Sequence, residues 1–165
     1  MIRRLYLCGI EKRQGKSFIA LGVASALAAQ CKHFRCFKLF DEPDKSQWEL
    51  LPLVSHQPVN PFMSLEQALQ SDSSNPDDLI AKILSFIDGS NKKSNVQLFE
   101  GSDFESDNAS FELQFNLTLA QQLDAEVLFV ISAKERDTSQ CVNLLRSSIM
   151  LAQKQHARVL GVVFT

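Results

Sequence analysis

Two glycines with five residues between them, followed at once by a lysine and a serine, define the chemistry open to this chain: Gly9-Ile-Glu-Lys-Arg-Gln-Gly15-Lys16-Ser17. Glycines let a backbone approach a phosphate closely, a lysine in the place of Lys16 reaches β and γ oxygens, and a hydroxyl like that of Ser17 holds Mg²⁺. A helix opening at this point adds its dipole and its free N–H groups to the attraction for an anion. The usual motif has four residues between the glycines, so Gly-Lys-Ser alone is a weak signal and its surroundings must carry the reading. Leu5 to Cys8 reads as a buried strand, and Phe18 to Ala29 as an apolar, alanine-rich helix. Strand, glycine loop and helix is the order that phosphate binding needs. The plainer reading is an ordinary strand-to-helix turn in which Lys16 and Ser17 are merely exposed.

Two more charged residues stand at the ends of apolar runs. Phe34 to Phe40 reads as a second strand with Lys38 near its end. In an open parallel sheet the ligand crevice lies at the carboxyl ends of the strands, so Lys38 would face the same crevice as the loop. The alternative is a lysine snorkelling to solvent from a strand end. Val96 to Gly101 is an apolar strand closing on Glu100 and Gly101. A carboxylate at a strand tip beside a phosphate loop is where nucleotide enzymes hold Mg²⁺, directly or through water. The alternative is an acidic residue ending a strand before a glycine turn. The expected binding set is therefore Gly9, Gly15, Lys16, Ser17, Lys38 and Glu100, with Ser17 and Glu100 for Mg²⁺. No catalytic residue is assigned.

Other patterns are weaker. Asp103, Glu105 and Asp107 alternate as in a calcium loop, but Asn108 stands where the glycine belongs and Gln114 where the glutamate belongs. Cys31, His33 and Cys36 lack a fourth metal ligand. No arrangement of serine, histidine and acid is readable, so a hydrolase is unsupported.

The elements that must position these residues follow from period and punctuation. Asp41 to Asn60, with Pro43, Pro52 and Pro58, reads as a loop with short irregular pieces. Ser64-Leu-Glu-Gln67 has capping-box spacing and predicts a short helix, and Asn75-Pro-Asp-Asp78 starts another that runs to about Asp88 and stops at Gly89. A helix from about Phe115 to Leu123 precedes a nearly continuous apolar strand, Glu126 to Ser132. Asp137 or Thr138 caps a long helix with Val142, Leu145, Ile149 and Ala152 at helical spacing, and Val159 to Phe164 is a last buried strand. The alternation predicts an α/β architecture in three layers: a mostly parallel sheet of about five strands with helices on both faces. With no covering helix after Thr165, the expectation is a chain that continues, or a partner that supplies the cover.

Composition bounds the rest. The chain has 165 residues, 45% hydrophobic and 22% charged, which suits one domain with a substantial core. A net charge of −2 and a pI near 5.9 give no electrostatic footprint for nucleic acid or an anionic membrane, so neither is expected as a partner. The four cysteines are scattered as in reduced proteins, and neither a signal peptide nor a membrane span is readable, so a cytoplasmic location is expected.

Taken together, Gly9…Gly15-Lys16-Ser17, Cys36-Phe-Lys38, Leu98-Phe-Glu100-Gly101 and Leu119 to Ser132 resemble the N-terminal domain of long bacterial phosphate acetyltransferases, a member of the dethiobiotin-synthetase-like P-loop group. The resemblance spans essentially the whole chain. The five-residue gap is the form found in dethiobiotin synthetases, and Phe62-Met-Ser64 is similar to the acetyltransferase branch. The resemblance implies that Lys16 and Ser17 take the phosphate and Mg²⁺ positions, Lys38 the strand-two lysine facing the phosphates, and Glu100 the metal-associated carboxylate. Gly161-Val-Val-Phe-Thr165 resembles the strand leading into a base-contacting Asn, whose place falls on Thr165. Departures are Ile10 to Gln14, where dethiobiotin synthetases are rich in Thr and Asp, and Leu39, where they have Pro.

The implied role is a regulatory or assembly domain that responds to a nucleotide such as Mg-ATP or to a metabolite. Acetyl transfer between acetyl-CoA and acetyl phosphate would belong to a separate C-terminal domain. Its implied partners are the rest of such a parent chain and further copies of itself. Two alternatives stay open: an ATP-dependent enzyme like dethiobiotin synthetase, and an interaction module with a vestigial loop.

Overall fold

The computed structural model of the chain describes residues 2–11, 14–41, 50–55, 59, 61–64, 76–90, 94–102 and 109–165. Along them run β1 (Arg3–Gly9), α1 (Lys16–Gln30), β2 (Phe34–Lys38), β3 (Phe40–Asp41), α2 (Leu51–Ser55), β4 (Met63–Ser64), α3 (Pro76–Ser90), β5 (Val96–Glu100), α4 (Ala109–Gln122), β6 (Glu126–Ile131), α5 (Thr138–Lys154) and β7 (Arg158–Phe164). Five strands form a wholly parallel sheet in the order β2-β5-β1-β6-β7, and β3 pairs with β4 in a separate two-stranded sheet. The expected three-layer α/β architecture is the one observed.

Strand order and handedness together decide where the helices lie. The step from β1 to β2 crosses the sheet in one direction and every later step in the other. Right-handed crossovers therefore put α1 on one face and α3, α4 and α5 on the opposite face. The core divides accordingly. Leu7, Cys36 and Leu98 pack with Ala20 and Ala24 of α1 and Leu51 of α2. On the other face Tyr6, Phe37, Phe99 and Phe129 pack with Leu79 and Ile83 of α3 and Leu117 of α4. Because successive strand residues alternate between faces, the face of each site residue follows from this division.

Several boundaries differ from the sequence expectation. The run Phe34 to Phe40 is not one strand: the Leu39 carbonyl accepts from the N–H groups of Phe62 (3.1 Å) and Met63 (3.5 Å), which draws the chain out of the main sheet after Lys38. Ser64 lies at the end of β4, and residues 65–75, where the short helix after it was expected, lie outside the described ones. Helix α3 continues through Gly89 to Ser90. Gly15 alone among the described glycines takes a positive φ, so Gly89 does not form the left-handed stop expected of it. Helix α4 begins six residues before Phe115, and its Leu113, Phe115 and Leu117 are all buried. On α5, Leu145, Ile149 and Ala152 pack against the core as expected, joined by buried Cys141 and Ser148, but Val142 is 45% exposed. The acidic run Asp103, Glu105, Asp107 lies outside the described residues. Among those described, no helix is long and apolar enough to cross a membrane.

Candidate functional site

At the carboxyl ends of the three left-hand strands, Lys38 is in register with Glu100, and Glu100 with Leu7. By alternation all three share the face of Cys36, Leu98 and Leu7, which is the face covered by α1. Lys38 and Glu100 therefore point toward the start of that helix from below. The Lys38 ammonium lies 3.2 Å from Glu100 Oε1, with side chains only 2% and 0% exposed. Lys38 is thus buried and paired, not snorkelling. The hydroxyl of Ser17, in the first turn of α1, donates to the same Oε1 at 2.6 Å. The other oxygen, Glu100 Oε2, is buried and has no hydrogen-bond partner among the described residues. A buried carboxylate oxygen without a donor is costly, so a further donor or cation at this atom would be favourable.

The loop itself shows how α1 is kept open to an anion. Gly9 ends β1 beside Val130, and Gly15 sits at the helix N-cap with φ 74°, the left-handed region that glycine enters without a Cβ penalty. Gly15 offers no side-chain cap, and no acidic residue occupies the first turn. Helix α5 is built the opposite way: Asp137 accepts from the Gln140 N–H at 2.8 Å while Gln140 Oε1 accepts from the Asp137 N–H at 3.0 Å. Lys16, at the first position of α1, is buried. It shares a stripe with Ala20 and Ala24, whose small side chains bring the helix close to the sheet.

The structure brings Ser17 and Lys38 onto Glu100 and sets Gly9 at the end of β1, Gly15 at the N-cap and Lys16 at the start of α1 beside them. Among the described residues no group of three or more His, Cys, Asp or Glu is placed to hold a metal. A cation here would rest on Ser17, Glu100 and the oxygens of its ligand, a sparse protein set of the kind Mg²⁺ accepts.

Other residues complete the surroundings of the site. Glu11 Oε2 accepts from Gln14 Nε2 at 2.9 Å and from Arg136 Nη2, while Arg136 Nη1 donates to the Ser132 carbonyl at 2.7 Å. Thr165 donates its hydroxyl to the Gln14 carbonyl at 3.0 Å, and its Cγ2 lies 3.6 Å from where a Cβ on Gly15 would stand. Behind Glu100, Asn116 is fully buried; it accepts from the Tyr6 hydroxyl (2.8 Å) and the Ser102 N–H (3.0 Å) and donates to the Glu112 carbonyl (3.0 Å). A Cβ on Gly101 would stand 2.6 Å from Asn116 Oδ1 and 2.8 Å from the Leu7 carbonyl, so only glycine lets the chain turn here. The Glu-Gly ending of β5 was the one hint of this. Burial first, and then the Glu100 carboxylate, push the Cys36 thiol far above its ordinary value; burial does the same to the Tyr6 phenol.

Residues 3–165 match the profile of a family described as an AAA domain. Among solved structures, the BceF tyrosine kinase domain is 15% identical over 98% of this chain and 68% of that one, with a TM-score of 0.62. The chimerical protein CapA2B2 is 18% identical over 99% and 76%, with a TM-score of 0.61. A nucleotide-binding protein from Archaeoglobus fulgidus, solved in complex with ADP, is 16% identical over 98% and 65%, with a TM-score of 0.54. The chain thus spans roughly two thirds to three quarters of each, and at these identities the likeness is one of fold.

Proposed function

The chain belongs to the AAA domain family and has a P-loop NTPase-like fold, and on that premise we propose that it binds a nucleoside triphosphate with Mg²⁺ at the loop joining β1 to α1. The observation that carries this is the convergence of the Ser17 hydroxyl and the Lys38 ammonium on one oxygen of buried Glu100 while the other oxygen has no hydrogen-bond partner among the described residues. The unsatisfied oxygen fits a cation or a metal-bound water. Ser17 and Glu100 would hold Mg²⁺, which when bound offsets the charge on the phosphate oxygens. The uncapped N–H groups of α1 would donate to phosphate oxygens, and Lys16 and Lys38 supply positive charge beside them.

The finer reading we favour is regulatory or assembly-directed binding of the kind implied by the resemblance to phosphate acetyltransferase N-terminal domains. It is supported by how the loop uses its polar residues: Glu11 and Gln14 hold each other and Arg136 instead of standing open toward a substrate. The competing reading, phosphoryl transfer as in a dethiobiotin synthetase, is supported by the two lysines and the carboxylate alone.

Calorimetric titration with Mg-ATP, paired with an assay for phosphate release, separates these. Saturable binding abolished by Lys16→Ala, with no phosphate released, is the expected result. Turnover lost in the same variant would move the assignment to the enzyme. A folded chain that takes up no Mg-ATP would overturn the proposal.

A further inference from the structure

Arg136 lies outside every motif that marks the phosphate loop, yet the structure ties it to that loop. Its Nη1 donates to the Ser132 carbonyl at 2.7 Å and its Nη2 to Glu11 Oε2, the atom that also accepts from Gln14 Nε2. One carboxylate oxygen thus joins both flanks of the loop to the turn between β6 and α5. That turn is itself fastened: the Ala133 N–H donates to the Thr165 carbonyl at 2.9 Å, the Arg136 N–H to the Ala133 carbonyl at 3.2 Å, and Asp137 locks the start of α5. Within it Glu135 adopts φ 60°, a left-handed backbone that a residue with a Cβ takes only when its surroundings impose it. Thr165, just after β7, completes the frame by donating to the Gln14 carbonyl, the peptide unit just before Gly15.

We infer that Arg136 is a positioning residue for the phosphate loop, acting through Glu11 to hold the backbone before Gly15 in the shape that receives phosphate. The Arg136 and Glu11 side chains are 27% and 37% exposed, so the pair adds little to global stability. Its effect is geometric: a loop held in place before binding does not have to be ordered by the ligand. Arginine suits the task because its rigid fork reaches the Ser132 carbonyl and the Glu11 carboxylate at once, which a lysine does not reproduce.

The inference rests on the nucleotide reading for affinity but not for loop order, so its test has two arms. Lys12 and Arg13 lie between the clamped residues Glu11 and Gln14, and trypsin cuts after each. Cleavage there is followed by mass spectrometry without nucleotide, and Mg-ATP affinity by calorimetry, for wild type, Arg136→Ala, Arg136→Lys, Glu11→Gln and the double variant Arg136→Ala with Glu11→Gln. Arg136→Ala and Glu11→Gln should each raise the cleavage rate severalfold and weaken Mg-ATP roughly tenfold, within the usual range of coupling between sites. Arg136→Lys should fall between, and the double variant should be no worse than the worse single one, because the two residues act as a unit. Unchanged cleavage in both single variants would overturn the inference, whether or not nucleotide binds. Should Arg136→Ala fail to fold, Glu11→Gln removes the same ion pair and decides alone. Should wild type not bind Mg-ATP, the functional proposal falls, and the cleavage rates still decide the clamp.

Discussion

Glu100 and Lys38 form a buried ion pair, and removing Glu100 takes away the carboxylate that faces the buried ammonium. Glu100→Ala should cost about 3–5 kcal/mol in urea unfolding, whereas replacing Glu100 and Lys38 together by Leu and Met should recover most of that loss. Both residues were legible because each is a charged residue at the end of an apolar strand. Their pairing follows once β2 and β5 are neighbours. Arg136 and Glu11 were not legible, since they lie 125 residues apart and neither type in its local sequence announces a contact. Nor was Asn116, one of several polar residues on α4, where polar and apolar residues nearly alternate and nothing marks which polar one is buried. Cys36 supplies a test of burial on the α1 face. Its folded thiol holds its proton past the ordinary value of 9.0, so above that value the unfolded state binds fewer protons and stability falls as pH rises. Urea midpoints measured upward from neutrality should fall less steeply in Cys36→Ala than in wild type. At Gly101 a methyl group meets the Leu7 carbonyl and Asn116, and Gly101→Ala should lose about 1–3 kcal/mol by the same measurement.

Helices α1 and α5 differ at their first turns in a way that separates scaffold from site. Helix α5 satisfies its own N-terminus through Asp137 and Gln140, and Asp137→Ala should cost about 1 kcal/mol, or roughly 2–4 °C in Tm by calorimetry. Helix α1 opens on a glycine with no cap, an arrangement suited to binding an anion at the expense of helix stability. The sequence made both starts readable, because Asp137 and Gly15 are punctuation of known meaning. It misled where punctuation was absent or overridden. Nothing in Lys38-Leu-Phe40 announces that the chain leaves the main sheet, since backbone bonds from Phe62 and Met63 cause the break. Gly89 has the type of a helix stop, but α3 keeps it in a helical conformation and goes on. Val142 fits the helical period yet points to solvent, because the seam of α5 is set one residue earlier at Cys141.

At the scale of the molecule, the position of β1 governs everything else. It lies at the centre of the sheet, between β5 and β6, with the loop rising from its carboxyl end. Alternating elements predicted parallel strands and helices on both faces, and the AAA domain match and the structural neighbours agree with that architecture. Strand order was beyond the sequence, because contacts between β1 and β5 join residues more than ninety positions apart that no short pattern links. That order brings Lys38 and Glu100 beneath the start of α1 and gives α1 one face largely to itself. The proposed function requires this end of the sheet to take nucleotide and Mg²⁺ together through Ser17 and Glu100. The most direct measurement is ATP affinity by calorimetry with and without Mg²⁺, for wild type and Ser17→Ala. The account predicts that Mg²⁺ tightens ATP binding to wild type about tenfold or more and that Ser17→Ala loses most of this gain, a difference of about 1.4 kcal/mol or more. Equal affinity with and without Mg²⁺ in wild type, or no binding by the folded chain, would contradict it.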